Sequence, residues 1–94
     1  MPPADGDVRA HVVVRGRVQG VFFRDETRRR ARSLGVAGWV SNRRDGAVEA
    51  VFEGSRNAVE SMVRWCGRGP SGAQVDDVQA TWEDPRGEDG FAVR

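Results

Sequence analysis

The stretch "VAGWVSNRRDGAVEAVFEG", residues 36 to 54, constrains the fold more than any other part of the chain. Asp45-Gly46 is a dipeptide that a two-residue hairpin turn favours, because the turn needs positive φ, and alternating β-formers flank it on both sides. Strands are therefore expected from about Val36 to Arg43 and from Ala47 to Glu53. An antiparallel pair with one apolar face needs a cover, and the segments before and after it carry helical patterns.

Before the hairpin, "HVVVRG" is β-branched and apolar, and the glycines of "GRVQG" interrupt it, as a strand running into a tight loop would require. Phe23, Thr27, Ala31 and Leu34 then recur at helical spacing, with Arg28, Arg29 and Arg32 opposite the stripe and Gly35 as a stop. This predicts a helix from about Phe22 to Leu34. After the hairpin, Ser55 is a good N-cap, and Val59, Met62, Val63 and Cys66 share one helical face until "GRGPSGA" ends it. "QVDDVQATWE" reads as a strand burying Val78, Ala80 and Trp82, and "FAVR" as a short edge strand. The order β-α-β-β-α-β gives an α+β, ferredoxin-like sandwich, an antiparallel sheet with two helices on one face. Residues 1–8 are expected to be a flexible tail and residues 9–94 a single domain.

Composition narrows the chemistry. With 94 residues the chain has room for one modest core. No apolar run reaches membrane-spanning length, and "MPPADGDVRA" is neither signal peptide nor anchor, so a cytoplasmic protein with no membrane partner is expected. All 15 cations are arginine, which removes lysine chemistry and leaves guanidinium forks and backbone amides for anion recognition. One cysteine, Cys66, and one histidine, His11, provide no internal disulfide and no standard zinc cluster, so neither metal nor cofactor is expected. A net charge of +1 gives no global reason to expect nucleic acid. The charge is nevertheless uneven, since seven arginines between Arg15 and Arg32 face only Asp25 and Glu26.

"GRVQGVFFR", residues 16 to 24, places glycines and arginines where a strand gives way to a helix, an end that repels cations. An anion would resolve the conflict. A loop entering a helix N-terminus can turn several N–H groups toward one point, and Arg24 can add a two-pronged contact to the same tetrahedral oxyanion. Read from spacing alone, Gly16 and Gly20 could equally form a plain turn with Arg24 solvated, and Arg28, Arg29, Arg30 and Arg32 read as a solvated face.

Taken with Thr27, Ala31, "LGVAGWVSN", "DGAVEAVFEG", "GPSGAQVDDV" and the closing "FAV", this stretch resembles the acylphosphatase family over about residues 9 to 93. The resemblance implies hydrolysis of small acyl phosphates to a carboxylate and inorganic phosphate, with phosphate also acting as an inhibitor and the protein as a monomer. It implies a phosphate-binding run of Arg17, Val18, Gln19, Gly20, Val21, Phe22, Phe23 and Arg24. It also implies catalytic roles for Arg24, which binds the phosphoryl group, and for Asn42, which holds the attacking water. A neutral amide can accept from and donate to a water but is too weak a base to deprotonate it. The substrate's own phosphate oxygen could accept the water proton, an inference that the sequence leaves open.

Other readings stay open at this stage. Asn42 alone could be a hairpin residue, and a noncatalytic phosphate or carbamoyl-phosphate binder would need Arg24 and the loop without Asn42. The domain also resembles the N-terminal module of a hydrogenase-maturation carbamoyltransferase. An RNA-binding module would share the sandwich, but "AVEAVFEG" carries Glu49 and Glu53 where that class needs basic and aromatic residues. Thr27, His11, Cys66 and the three tryptophans read as packing residues.

Overall fold

Apolar alternation along Ala10, Val12 and Val14 builds the first strand, β1 (Asp7–Arg17). It is followed by α1 (Phe23–Ser33), β2 (Ala37–Asn42), β3 (Val48–Ser55), α2 (Arg56–Cys66), β4 (Gln74–Glu83) and β5 (Phe91–Val93). The structure, a computed structural model, describes residues 6–94. The sheet order is β4-β1-β3-β2-β5. β1 pairs antiparallel with β3 and β4, and β2 antiparallel with β3, while β5 runs parallel to β2. The ferredoxin-like α+β fold therefore carries a mixed sheet rather than a wholly antiparallel one. Residues 1–5 of the expected tail lie outside the described residues, and Asp7 and Val8 already belong to β1, opposite Ser55 and Gly54.

One face of the sheet meets both helices. Ala10, Val12 and Val14 of β1, Val40 of β2 and Val48, Ala50 and Phe52 of β3 pack on Phe23 and Ala31 of α1 and on Val59, Met62, Trp65 and Cys66 of α2. Each large side chain buried in this way stabilises the fold by roughly 1.5–3 kcal/mol. Burial pushes the Cys66 thiol up to about 12, so it stays a packing residue. Trp65 takes the buried place expected of Val63, and Leu34, at the C-terminal cap of α1, is 44% exposed.

Two further expectations are corrected. β4 buries none of its residues: Ala80 is exposed and Trp82 is 47% exposed, with the Arg56 guanidinium 5.6 Å above its ring. It is an edge strand whose apolar face is only partly covered: Val78 packs against the margin of the core, while Ala80 and Trp82 stay exposed. The β2–β3 connection is longer than a two-residue turn. Arg43 N–H donates to Ala47 O at 2.8 Å and Gly46 N–H to Arg43 O at 3.2 Å, which closes a three-residue loop with left-handed Gly46 at its end. Asp45 locks it, accepting from Ala47 N–H first and then from Arg43 and Arg15, which holds its carboxyl at about 2.

The opposite face of the sheet carries a buried ion cluster. Arg9 and Glu53, side by side on β1 and β3, are 4% and 3% exposed and lie 3.4 Å apart. Arg9 also reaches Glu83 at 3.0 Å and Glu88 at 2.8 Å. Glu53 accepts from the N–H groups of Arg86 and Glu88. Burial alone would raise the Glu53 carboxyl, but those N–H donors and Arg9 outweigh it and hold it below its ordinary range. The cluster straps the segment between β4 and β5 across the sheet and so fixes β5 beside β2.

Candidate active site

The loop between β1 and α1 is shaped by its neighbours on three sides. A register shift between Arg15 and Gly16 bends the end of β1, and there a Cβ on Gly16 would sit 2.2 Å from the Gln74 carbonyl oxygen. Only glycine permits that approach. Val18, fully buried, plugs the loop into the core. The Gln19 amide donates to Arg43 O at 2.8 Å and to Ala47 O at 2.9 Å, tying the loop to the β2–β3 turn.

The loop then enters α1 through two left-handed residues, Gly20 at φ 75 and Phe22 at φ 62. For a bulky residue this conformation costs roughly 1–2 kcal/mol, and the Phe22 side chain, 77% exposed, recovers little of it by packing. Its effect is on direction, because alternating the backbone hand turns successive N–H groups toward one concavity. No side chain caps α1. Among the described residues, the N–H groups of Gln19, Gly20, Val21 and Phe22 have no backbone acceptor.

The loop and the start of α1 border a cleft of about 270 Å³ lined by Val18, Gly20, Phe22, Phe23, Arg24, Asp25 and Asn42. Arg24 stands in the first turn of α1. Arg29 and Arg30 lie 3.3 and 4.0 Å from Glu26, whereas Arg24 has no carboxylate partner among the described residues. Asn42, exposed at the last position of β2, reaches the cleft from the sheet. Phe23 holds the helix end in place through its ring, 5.2 Å from that of Trp65. A donor-rich hollow of this size, with one guanidinium and one neutral amide at its rim, suits a tetrahedral dianion.

A family model described as Acylphosphatase matches residues 10–93, nearly the whole chain. The chain belongs to the acylphosphatase family. An acylphosphatase of Pelotomaculum thermopropionicum is 59% identical to it over 86 residues, 90% of this chain and 94% of that protein. Among solved structures, an acylphosphatase from Coxiella burnetii superposes with a TM-score of 0.91 at 37% identity, covering 95% of this chain and 94% of the other. That of Bacillus subtilis does so with a TM-score of 0.89 at 36% identity, covering 93% and 98%.

Of the residues that the sequence nominates in this acylphosphatase, the structure gathers Val18, Gly20, Phe22, Phe23, Arg24 and Asn42 around one cleft. Arg17, Gln19 and Val21 do not line it. Arg17 closes the β1–β4 ladder opposite Gln74, Gln19 spends its amide on the β2–β3 turn, and Val21 packs against the core. Thr27, read as a packing residue, is fully buried and donates to Phe23 O at 2.7 Å. His11 lies on the far face of the sheet, 2.6 Å from Glu49.

Two contributors escape a sequence reading. Asp25 lines the cleft, and the acidic bias of a helix's first turn was the available signal. Gly69, in the loop after α2, backs the Phe23 ring so closely that a Cβ would come within 2.9 Å of Phe23 Cε2. The glycine-rich composition marked that loop as a stop, not as a support for the site.

Proposed function

We propose that this acylphosphatase holds the phosphoryl group of its substrate in the cleft at the start of α1 and that Asn42 orients the attacking water. The reaction itself follows from the family: hydrolysis of the carboxyl–phosphate anhydride of acyl phosphates to a carboxylate and inorganic phosphate. The observation that carries the placement is the uncapped start of α1, where Gly20, Phe22 and Arg24, which has no carboxylate partner among the described residues, line the same hollow as Asn42.

Main-chain N–H groups and the Arg24 fork bind the phosphoryl oxygens and neutralise charge as the transition state forms. The Asn42 amide oxygen accepts a hydrogen bond from the water and its N–H donates to the water oxygen, which fixes the line of attack. The water oxygen bonds to phosphorus, the bond from phosphorus to the acyl oxygen breaks, and the carboxylate departs with that electron pair. The proton passes to a phosphate oxygen of the substrate. Because the carboxylate is already a good leaving group, positioning and charge neutralisation supply most of the acceleration. Inorganic phosphate, the product, competes for the same donors, and the chain works as a monomer in the cytoplasm.

The deciding measurement is turnover of acetyl phosphate, with a phosphate monoester as control, for the wild type and for Asn42→Ala. The wild type is expected to hydrolyse the first and spare the second. Asn42→Ala is expected to lose roughly a hundredfold in kcat while the inhibition constant of phosphate stays within about twofold. Near-normal kcat would return Asn42 to the role of a hairpin residue. Equal loss of phosphate affinity would break the division between phosphate clamp and water holder.

A further inference from the structure

The arginines of α1 do not all behave as a solvated face. Arg29 and Arg30 are drawn to Glu26, but Arg28 has no carboxylate partner among the described residues and is half-buried. Arg24, Arg28 and Arg32 stand four residues apart, so each lies about one helical turn beyond the last on a single flank of the helix. Arg32 donates to the Phe91 carbonyl oxygen at 3.2 Å, which places that flank beside β5. A groove of about 300 Å³ lies along α1 itself, lined by Asp25, Arg28, Arg29 and Arg32. Asp25 belongs to both this groove and the cleft, so the two hollows adjoin.

Resting on the reading of the cleft above, we propose that this groove receives the acyl end of the substrate and selects acyl phosphates that carry a second anionic group, with Arg28 as the specificity-determining contact. With the phosphoryl group against Arg24, the adjoining groove offers the acyl chain a way out of the cleft. Along the groove, a carboxylate or phosphate ester one helical turn away meets the Arg28 fork, whose half-burial shields the contact from water. A neutral acyl chain can rest on the apolar arginine stems but forms no ion pair there, since every residue lining the groove is charged. Asp25 at the junction repels an anion placed too near the reacting centre, which favours substrates whose second charge lies farther along the chain.

The test compares kcat/KM for succinyl monophosphate and butyryl phosphate, which have the same chain length and differ in the terminal carboxylate. The wild type is expected to prefer succinyl phosphate by about fivefold at low salt, the upper range for an exposed ion pair. That preference should fall toward unity in about 0.5 M sodium chloride. Arg28→Gln keeps a good helix former and should abolish the preference while leaving butyryl phosphate turnover unchanged. Arg32→Gln, whose guanidinium is already engaged by Phe91, should reduce it less. Equal kcat/KM for the two substrates, or a preference that survives both Arg28→Gln and high salt, would overturn the groove. If neither substrate turned over, the reading of the cleft would fall first.

Discussion

The two helices have the same length, 11 residues each, and begin in opposite ways. α2 starts from Ser55 in extended backbone, whose hydroxyl accepts from Ala58 N–H at 3.4 Å and closes one of the open amides of the first turn. α1 starts from Phe22 in the left-handed region with no side-chain cap, and it places an arginine where the helix dipole disfavours one. Same fold, same face of the sheet and similar length remove most other variables. What differs is whether the amide groups are satisfied from within the chain. A helix that satisfies its own terminus leaves fewer donors for a partner, whereas the open start of α1 leaves donors available, as the proposed phosphate site requires.

Three changes probe that contrast. Arg24→Ala should reduce kcat/KM on acetyl phosphate by roughly a thousandfold, above the loss typical of a single oxyanion donor because binding and transition state both suffer. Its unfolding free energy should move by less than about 0.5 kcal/mol, since no protein partner is lost. Urea denaturation beside the kinetics checks both halves, and a large loss of stability would mean that Arg24 is a structural residue after all. Phe22→Asp puts a carboxylate at the open N-terminus and converts the α1 start toward the α2 type. It should weaken phosphate inhibition and raise KM by about tenfold through like-charge repulsion, and it should not destabilise the fold. Unchanged phosphate affinity would show that the ligand sits elsewhere. Ser55→Ala opens the α2 terminus and should cost about 1 kcal/mol without altering kcat or KM. Any activity change there would blur the distinction between the two helix starts.

The contrast was partly legible before the structure. Ser55 announces itself as a cap from residue type alone, and the glycine–arginine pattern at residues 16 to 24 marks α1 as different. Local spacing gave both helices and the β2–β3 pair because those signals depend on near neighbours. The left-handed turn at Phe22 was hidden, since a bulky residue is the last one expected there. The bonds of the Gln19 side chain to Arg43 and Ala47 were hidden too, because they exist only once the hairpin lies alongside. β4 misled for a related reason. Alternation records which residues could face a core, but whether a cover lies over them is decided by sheet order, and at the edge Ala80 and Trp82 stay exposed, with the Arg56 guanidinium of α2 over the Trp82 ring. The parallel pairing of β5 depends on the strap across the open face, which rests on Arg9 meeting carboxylates far along the chain.

That strap has a kinetic side. Arg9 is bonded to Glu83 and Glu88, partners 74 and 79 positions later in the chain. Contacts of such sequence separation form late, because the entropy of closing the loop is lost before any bond compensates it. As the chain leaves the ribosome, β1 and β3 therefore meet with Arg9 still short of two of its three carboxylates, and the guanidinium cannot be desolvated favourably until residue 88 has been synthesised. The last strand settles beside β2 only after that. β2, which carries Asn42 at its end, thus receives its second neighbour, along Gly38 to Val40, at the close of folding, so the onset of activity on refolding should coincide with completion of the whole sheet and not with formation of the helices.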